Sequence, residues 1–163
     1  MAKLIILRGN SGSGKTTVAK ALQAKLGPNT MLISHDMVRI QMLNTSSRMG
    51  VEKSLPLMME LMKYGREHSD VTIIEGILPV KDYKDLFDAA VLEFGDNICA
   101  CYYDLPFEET VLRHSTKPNR GDFGEEDMRR WWQEKDLLPM LKEITLTKDM
   151  SPDDVVEMIL SRI

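Results

Sequence analysis

Eight consecutive residues, Gly9-Asn10-Ser11-Gly12-Ser13-Gly14-Lys15-Thr16, carry the strongest chemical signal in the chain. They fit G-x-x-x-x-G-K-[ST], directly after a short apolar run and directly before a helical pattern. The glycines let the backbone curl until successive N–H groups converge on phosphate oxygens, aided by the positive end of the following helix. In such a loop Lys15 reaches the β- and γ-phosphates and the Thr16 hydroxyl ligates Mg²⁺, with Thr17 completing the nucleotide-binding set. The spacing predicts a nucleoside triphosphate site taking ATP and Mg²⁺.

A phosphate loop serves switches and motors as well as kinases. The guanine-reading N/T-K-x-D pattern of a switch is approached only by Thr147-Lys148-Asp149-Met150, with the wrong spacing. The chain is also short for the accessory subdomain of an oligomeric motor. A kinase needs a proton acceptor, cations for the transferred phosphoryl and a lid that excludes water. Asp36, in Ser34-His35-Asp36-Met37-Val38-Arg39, falls just past the second expected strand, where a parallel sheet faces its ligand crevice. Its carboxylate can take an acceptor-hydroxyl proton, and Arg39 one turn later can hold the acceptor or a phosphate oxygen. The plainer reading is a helix cap paired with Arg39. Glu75 ends the third expected strand beside the Mg²⁺ position, as a metal or acceptor contact or as a polar strand end.

A polar stretch at 115–124 suggests a lid over about 113–130, with Arg113 and Arg120 on phosphate oxygens, because Pro118-Asn119 and Gly121 mark a loop. Lys117, Arg129 and Arg130 read as a solvated face. The acceptor region is expected at about 37–68. Of the twelve methionines, Met37, Met42, Met49, Met58, Met59 and Met62 lie there, either as core at helical spacing with Leu55 or as an adaptable apolar wall. His35, His68 and His114 show no metal-ligand spacing, and Trp131 and Trp132 suit packing between a lid helix and the body.

The elements that must position these groups alternate. Apolar runs at 4–7, 31–33, 71–74, 98–103 and 144–146 predict strands. Helical spacing links Val18, Leu22 and Leu26, then Tyr83, Leu86, Phe87, Ala90, Val91 and Phe94. Pro106 with Glu108 and Glu109 suits a first turn, Met128, Trp131 and Trp132 stripe a helix ending near Leu138-Pro139, and Ser151-Pro152-Asp153-Asp154 starts the last helix. Strands alternating with helices imply a parallel sheet covered on both faces, one three-layer α/β domain over 1–163.

Among 163 residues, 43% are hydrophobic and 28% charged, with a formal charge of -4. That balance gives no broad basic footprint for nucleic acid or anionic membrane. No run approaches the ~18 apolar residues of a membrane span. Cys99 and Cys101, alternating in one strand, read as buried reduced thiols, and the first residues are unlike a signal peptide, so a cytoplasmic protein is expected.

The phosphate loop, the Asp36-Met37-Val38-Arg39 step, the Ile74-Glu75-Gly76 strand end and the Arg113 and Arg120 lid together resemble small P-loop kinases. The zeta-toxin, chloramphenicol phosphotransferase and phage polynucleotide kinase group is most similar, with nucleoside-monophosphate and gluconate kinases further off. The resemblance implies a five-stranded parallel sheet of order 2-3-1-4-5, Asp36 as general base, and adenine between the lid and 148–152. The expected activity is ATP-dependent transfer of the γ-phosphoryl to a hydroxyl or phosphate of a small-molecule acceptor. The rival is a non-catalytic nucleotide-binding module, or a toxin-type P-loop protein acting through a protein partner.

Overall fold

The structure, a computed structural model, describes residues 1–45 and 49–163. Three residues of the expected acceptor region, 46–48, thus lie outside the described residues. Strand β1 (Lys3–Gly9) leads through the glycine-rich loop into helix α1 (Lys15–Leu26), and β2 (Thr30–Ser34) follows. A π-helical turn at Met37–Met42 and helix α2 (Gly50–His68) precede β3 (Val71–Gly76), α3 (Val80–Phe94) and β4 (Ile98–Tyr103). Helices α4 (Phe107–Ser115) and α5 (Glu125–Trp131), a 3₁₀ turn at Pro139–Leu141, β5 (Ile144–Leu146) and α6 (Pro152–Leu160) complete the chain. All pairings are parallel, in the order β2-β3-β1-β4-β5. This is the three-layer P-loop fold.

Strand alternation explains the two cores. Leu4 and Ile6 of β1 pack with Met58, Met62, Leu86 and Phe87 under α2 and α3. Ile5 and Leu7 point the other way, among Val18, Leu22, Val156 and Ile159 under α1 and α6. Cys99 and Cys101 are free and buried in that second core. Ser151 caps α6 as its sequence predicts, its Oγ accepting from Asp154 N at 3.1 Å.

Arg8 continues the alternation of Leu4 and Ile6 and is therefore carried into the first core, where it is fully buried. Its guanidinium donates to Glu143 Oε1 and Asp136 Oδ2, both at 2.7 Å, and to the Leu78 carbonyl at 3.2 Å. It also lies over the Phe87 ring, 5.1 Å from the centroid. This cluster holds the segment after α5 against the sheet.

Two expectations fail here. The helix expected to end near Leu138-Pro139 stops at Trp131, because Gln133 leaves the helical path to pair with the phosphate loop. Val91, expected on the buried stripe of α3, is exposed, whereas Tyr83, Leu86, Phe87, Ala90 and Phe94 are buried.

Candidate active site

The loop Gly9–Gly14 crosses the carboxyl ends of the strands, the usual crevice of an open parallel sheet. Gly12 adopts φ +81°, and a Cβ there would lie 2.5 Å from the Thr110 carbonyl oxygen. Only glycine lets α4 approach this closely. Gly14 precedes α1 in the left-handed region and no side chain caps the helix, so the amides of its first turn are left for a ligand.

Lys15 is buried and folds back over the loop, donating to the Asn10 carbonyl at 2.8 Å and Ser13 Oγ at 3.2 Å. Burial lowers its pKa to about 8, against the opposing pull of Glu75 and Asp36. Asn10 uses its side chain structurally: Nδ2 donates to the Gln133 carbonyl and Oδ1 accepts from Gln133 N, both at 2.8 Å. Its part in a phosphate site is therefore through the backbone.

Register brings Glu75 beside Leu7 and Ser34. Its buried Oε1 accepts from Ser34 Oγ at 2.6 Å and Thr16 Oγ1 at 3.1 Å. One carboxylate and one hydroxyl, both hard oxygen donors at the end of a phosphate loop, fit Mg²⁺, which takes its remaining ligands from phosphate and water. Among the described residues no cluster of three or more His, Cys, Asp or Glu would cage a metal alone.

Asp36 stands exposed past β2 and makes no capping bond. Arg39 Nη2 reaches its Oδ1 at 3.4 Å, while the buried Arg39 Nε has no hydrogen-bond partner among the described residues. His35 is more than a surface residue: its Nε2 lies 2.5 Å from Tyr83 Oη, which meets Ser54 Oγ at 2.9 Å. This chain joins β2, α3 and α2 around the expected acceptor side. Burial lowers the His35 pKa to about 4, with Arg39 and Lys15 pushing the same way and Asp36 opposing. The methionines divide: Met58 and Met62 are core, while Met37, Met42 and Met49 are exposed.

Arg113 lies in the last turn of α4, not on a loop as its neighbours suggested. It pairs with Glu109 at 2.8 Å and donates to the Ser13 carbonyl at 2.9 Å and the Lys148 carbonyl at 3.4 Å. It thereby forms one wall of a cavity of about 610 Å³ shared with Gly14, Thr17, Lys117, Lys148 and Pro152. The 148–152 segment implied for adenine lines this cavity. Arg120 is exposed and donates to the Lys117 carbonyl at 3.3 Å, outside the cavity wall. Lys117, read as solvated, is half-buried in that wall. Trp132 packs edge-on against Phe107 at 5.2 Å, and Trp131 against Phe123 at 5.1 Å, so only Trp132 bridges to the body.

No helix is long and apolar enough to cross a membrane among the described residues. A comparison with curated protein sequences finds no match. Among solved structures, the chain is similar to the APS kinase CysC of Mycobacterium tuberculosis in complex with AMPPNP and APS. The TM-score is 0.72 at 17% identity, covering 98% of this chain and 96% of that one. A gluconokinase from Sinorhizobium meliloti 1021 gives 0.66 at 12%, covering 98% and 90%. A chain of the Pnkp1/Rnl/Hen1 RNA repair complex gives 0.58 at 21%, covering 79% and 42%. The shared fold is that of the small P-loop kinases expected from the motifs. Residues 4–134 match the AAA_33 family, described as an AAA domain. The chain belongs to that family of P-loop proteins.

Proposed function

We propose that the protein is an ATP-dependent phosphotransferase acting on a small-molecule acceptor. One observation carries this reading: Lys15, the Thr16–Glu75 pair and Asp36 stand along a single crevice at the carboxyl ends of β1, β3 and β2. The amides of the loop and of the first turn of α1 bind the triphosphate, and Lys15 releases the Asn10 carbonyl to take phosphate oxygens. Thr16 and Glu75 would hold Mg²⁺, which neutralises charge on the phosphates when bound. Asp36 accepts the proton of the attacking hydroxyl, and the wall of α4 excludes water beside Arg113.

The acceptor enters over the π-helical turn, where Met37, Ile40 and Met42 are exposed next to Asp36 and Arg39. π-Helical turns cluster at functional sites, and thioether side chains adapt to organic surfaces. An organic hydroxyl compound with an apolar part suits that wall.

The test is ADP release from ATP and Mg²⁺, screened against nucleosides, sugars, amino alcohols and antibiotics. A kinase accelerates at least tenfold with its acceptor. Nucleotide binding with no acceptor-dependent release across such a panel would favour the non-catalytic module instead.

A further inference from the structure

We propose that Lys117, rather than Arg120, is the lid cation that contacts the γ-phosphoryl of bound nucleotide. The inference rests on the kinase reading of the site and assigns the closing charge within it. After α4 ends at Ser115, Lys117 N donates to the His114 carbonyl at 3.0 Å, and the turn brings the lysine onto the inner side of the 115–124 loop. The loop is pinned at its far end, because buried His114 donates from Nε2 to the Phe123 carbonyl at 2.9 Å and stacks on the Phe123 ring at 4.3 Å. Lys117 is consequently half-buried in the cavity wall with Gly14, Thr17 and Arg113, while Arg120 turns outward.

A half-buried ammonium is ordinarily compensated by a carboxylate. Arg113 has Glu109, but no carboxylate lies within ion-pair distance of Lys117 among the described residues. Burial pushes the Lys117 pKa down, Arg113 adds to the push, and the Glu75 carboxylate opposes it. Lys117 in turn bears on Lys15. Lys15, Arg113 and Lys117 therefore converge on one cavity, and Glu75 is already engaged by Thr16 and Ser34. An anion entering from solvent supplies the missing charge.

Which phosphate it meets follows from the neighbours. Arg113 is anchored to Ser13 and Lys148, on the side of 148–152. Lys117 shares its field with Glu75 and Lys15, the residues of the metal and terminal phosphates. An ammonium on a flexible stem suits a phosphoryl group whose charge is spread over three oxygens, since it imposes no fixed fork.

The experiment is calorimetric titration of AMPPNP and of ADP, each with Mg²⁺, into wild type, Lys117→Met, Lys117→Arg and Arg120→Met. A charge-assisted contact to the γ-phosphoryl predicts that Lys117→Met weakens AMPPNP about tenfold or more. ADP affinity should stay within about twofold, and Lys117→Arg should recover most of the loss. Equal loss for both nucleotides, or no loss for AMPPNP, overturns the proposal. Selective loss in Arg120→Met with Lys117→Met unaffected also overturns it. Wild type binding neither nucleotide would refute the kinase reading itself, and this assignment with it.

Discussion

Thr16 Oγ1 donates to Glu75 Oε1 at 3.1 Å, linking the first turn of α1 to the end of β3 across 59 residues of chain. Ser34 Oγ donates to the same oxygen from β2, so three elements meet at one buried carboxylate. A strand end with no ligand to serve needs no such convergence. Glu75→Gln keeps an acceptor for both hydroxyls and removes the charge that a metal requires. Fold stability should change little, while the Mg²⁺ concentration that half-saturates ADP binding rises about 10- to 100-fold. Titrating Mg²⁺ at fixed ADP measures it, and an unchanged midpoint would make Glu75 purely structural.

Lys15 supplies a pH signature. With its pKa lowered to about 8 in the ligand-free protein, the ammonium is partly neutral above that pH. A triphosphate favours the charged form, so binding above pH 8 takes up a proton and affinity falls as pH rises, approaching tenfold per unit. Stability of the free protein runs the opposite way. The depressed pKa makes the unfolded chain hold the extra proton between about 8 and 10.5, so this residue's contribution to stability rises across that window. Calorimetry in buffers of differing ionisation enthalpy would detect uptake at pH 8.5 and almost none at pH 6.5. Uptake of equal size at both would argue against Lys15 as its source.

Arg8 tests the scaffold behind the site. Glu143 has a side chain only 2% exposed and depends on Arg8 Nη1 for its counter-charge. Arg8→Met should cost about 3–5 kcal/mol, because it strands a buried carboxylate as well as removing the bonds to Asp136 and Leu78. Replacing Glu143 by Gln in the same chain should return part of that loss. Urea denaturation of the three proteins measures both steps, and a single-variant cost below about 1 kcal/mol would show that Glu143 finds another partner or solvent.

The sheet was legible because its strands are short apolar runs bounded by turns, and β4 at 98–103 matches its predicted limits. Gly9 through Thr16 were legible because a phosphate loop is local: residue types and spacing are the whole signal. What stayed hidden depends on distant pairings. Asn10 and Gln133 are 123 residues apart, and their paired amides end α5 early where the Met128–Trp131 stripe suggests a longer helix. Lys117 and Arg120 have the same local composition around them, and only the turn after α4 sends one inward and the other out. Nothing in the spacing of His35, Ser54 and Tyr83 marks them as one chain. Their contact follows from α2 and α3 packing beside the end of β2.

Asp36 is where a kinase and a nucleotide-binding module part most cleanly. It is exposed, makes no capping bond, and has only a 3.4 Å contact with Arg39, so Asp36→Asn should leave folding and ATP affinity nearly unchanged. It removes a proton acceptor at the mouth of the crevice. Phosphoryl transfer to the true acceptor should therefore fall by roughly 10²–10⁴-fold, the usual contribution of a positioned base. Slow hydrolysis of ATP need not fall in parallel, because water reaches the phosphoryl without Asp36. Single-turnover transfer, measured beside ATP binding on the same preparation, separates these effects. If transfer stays within about threefold of wild type, the base is another group. Glu75 is then disfavoured by its bonds to Thr16 and Ser34, and the neutral imidazole of His35, next in the chain, becomes the residue to replace.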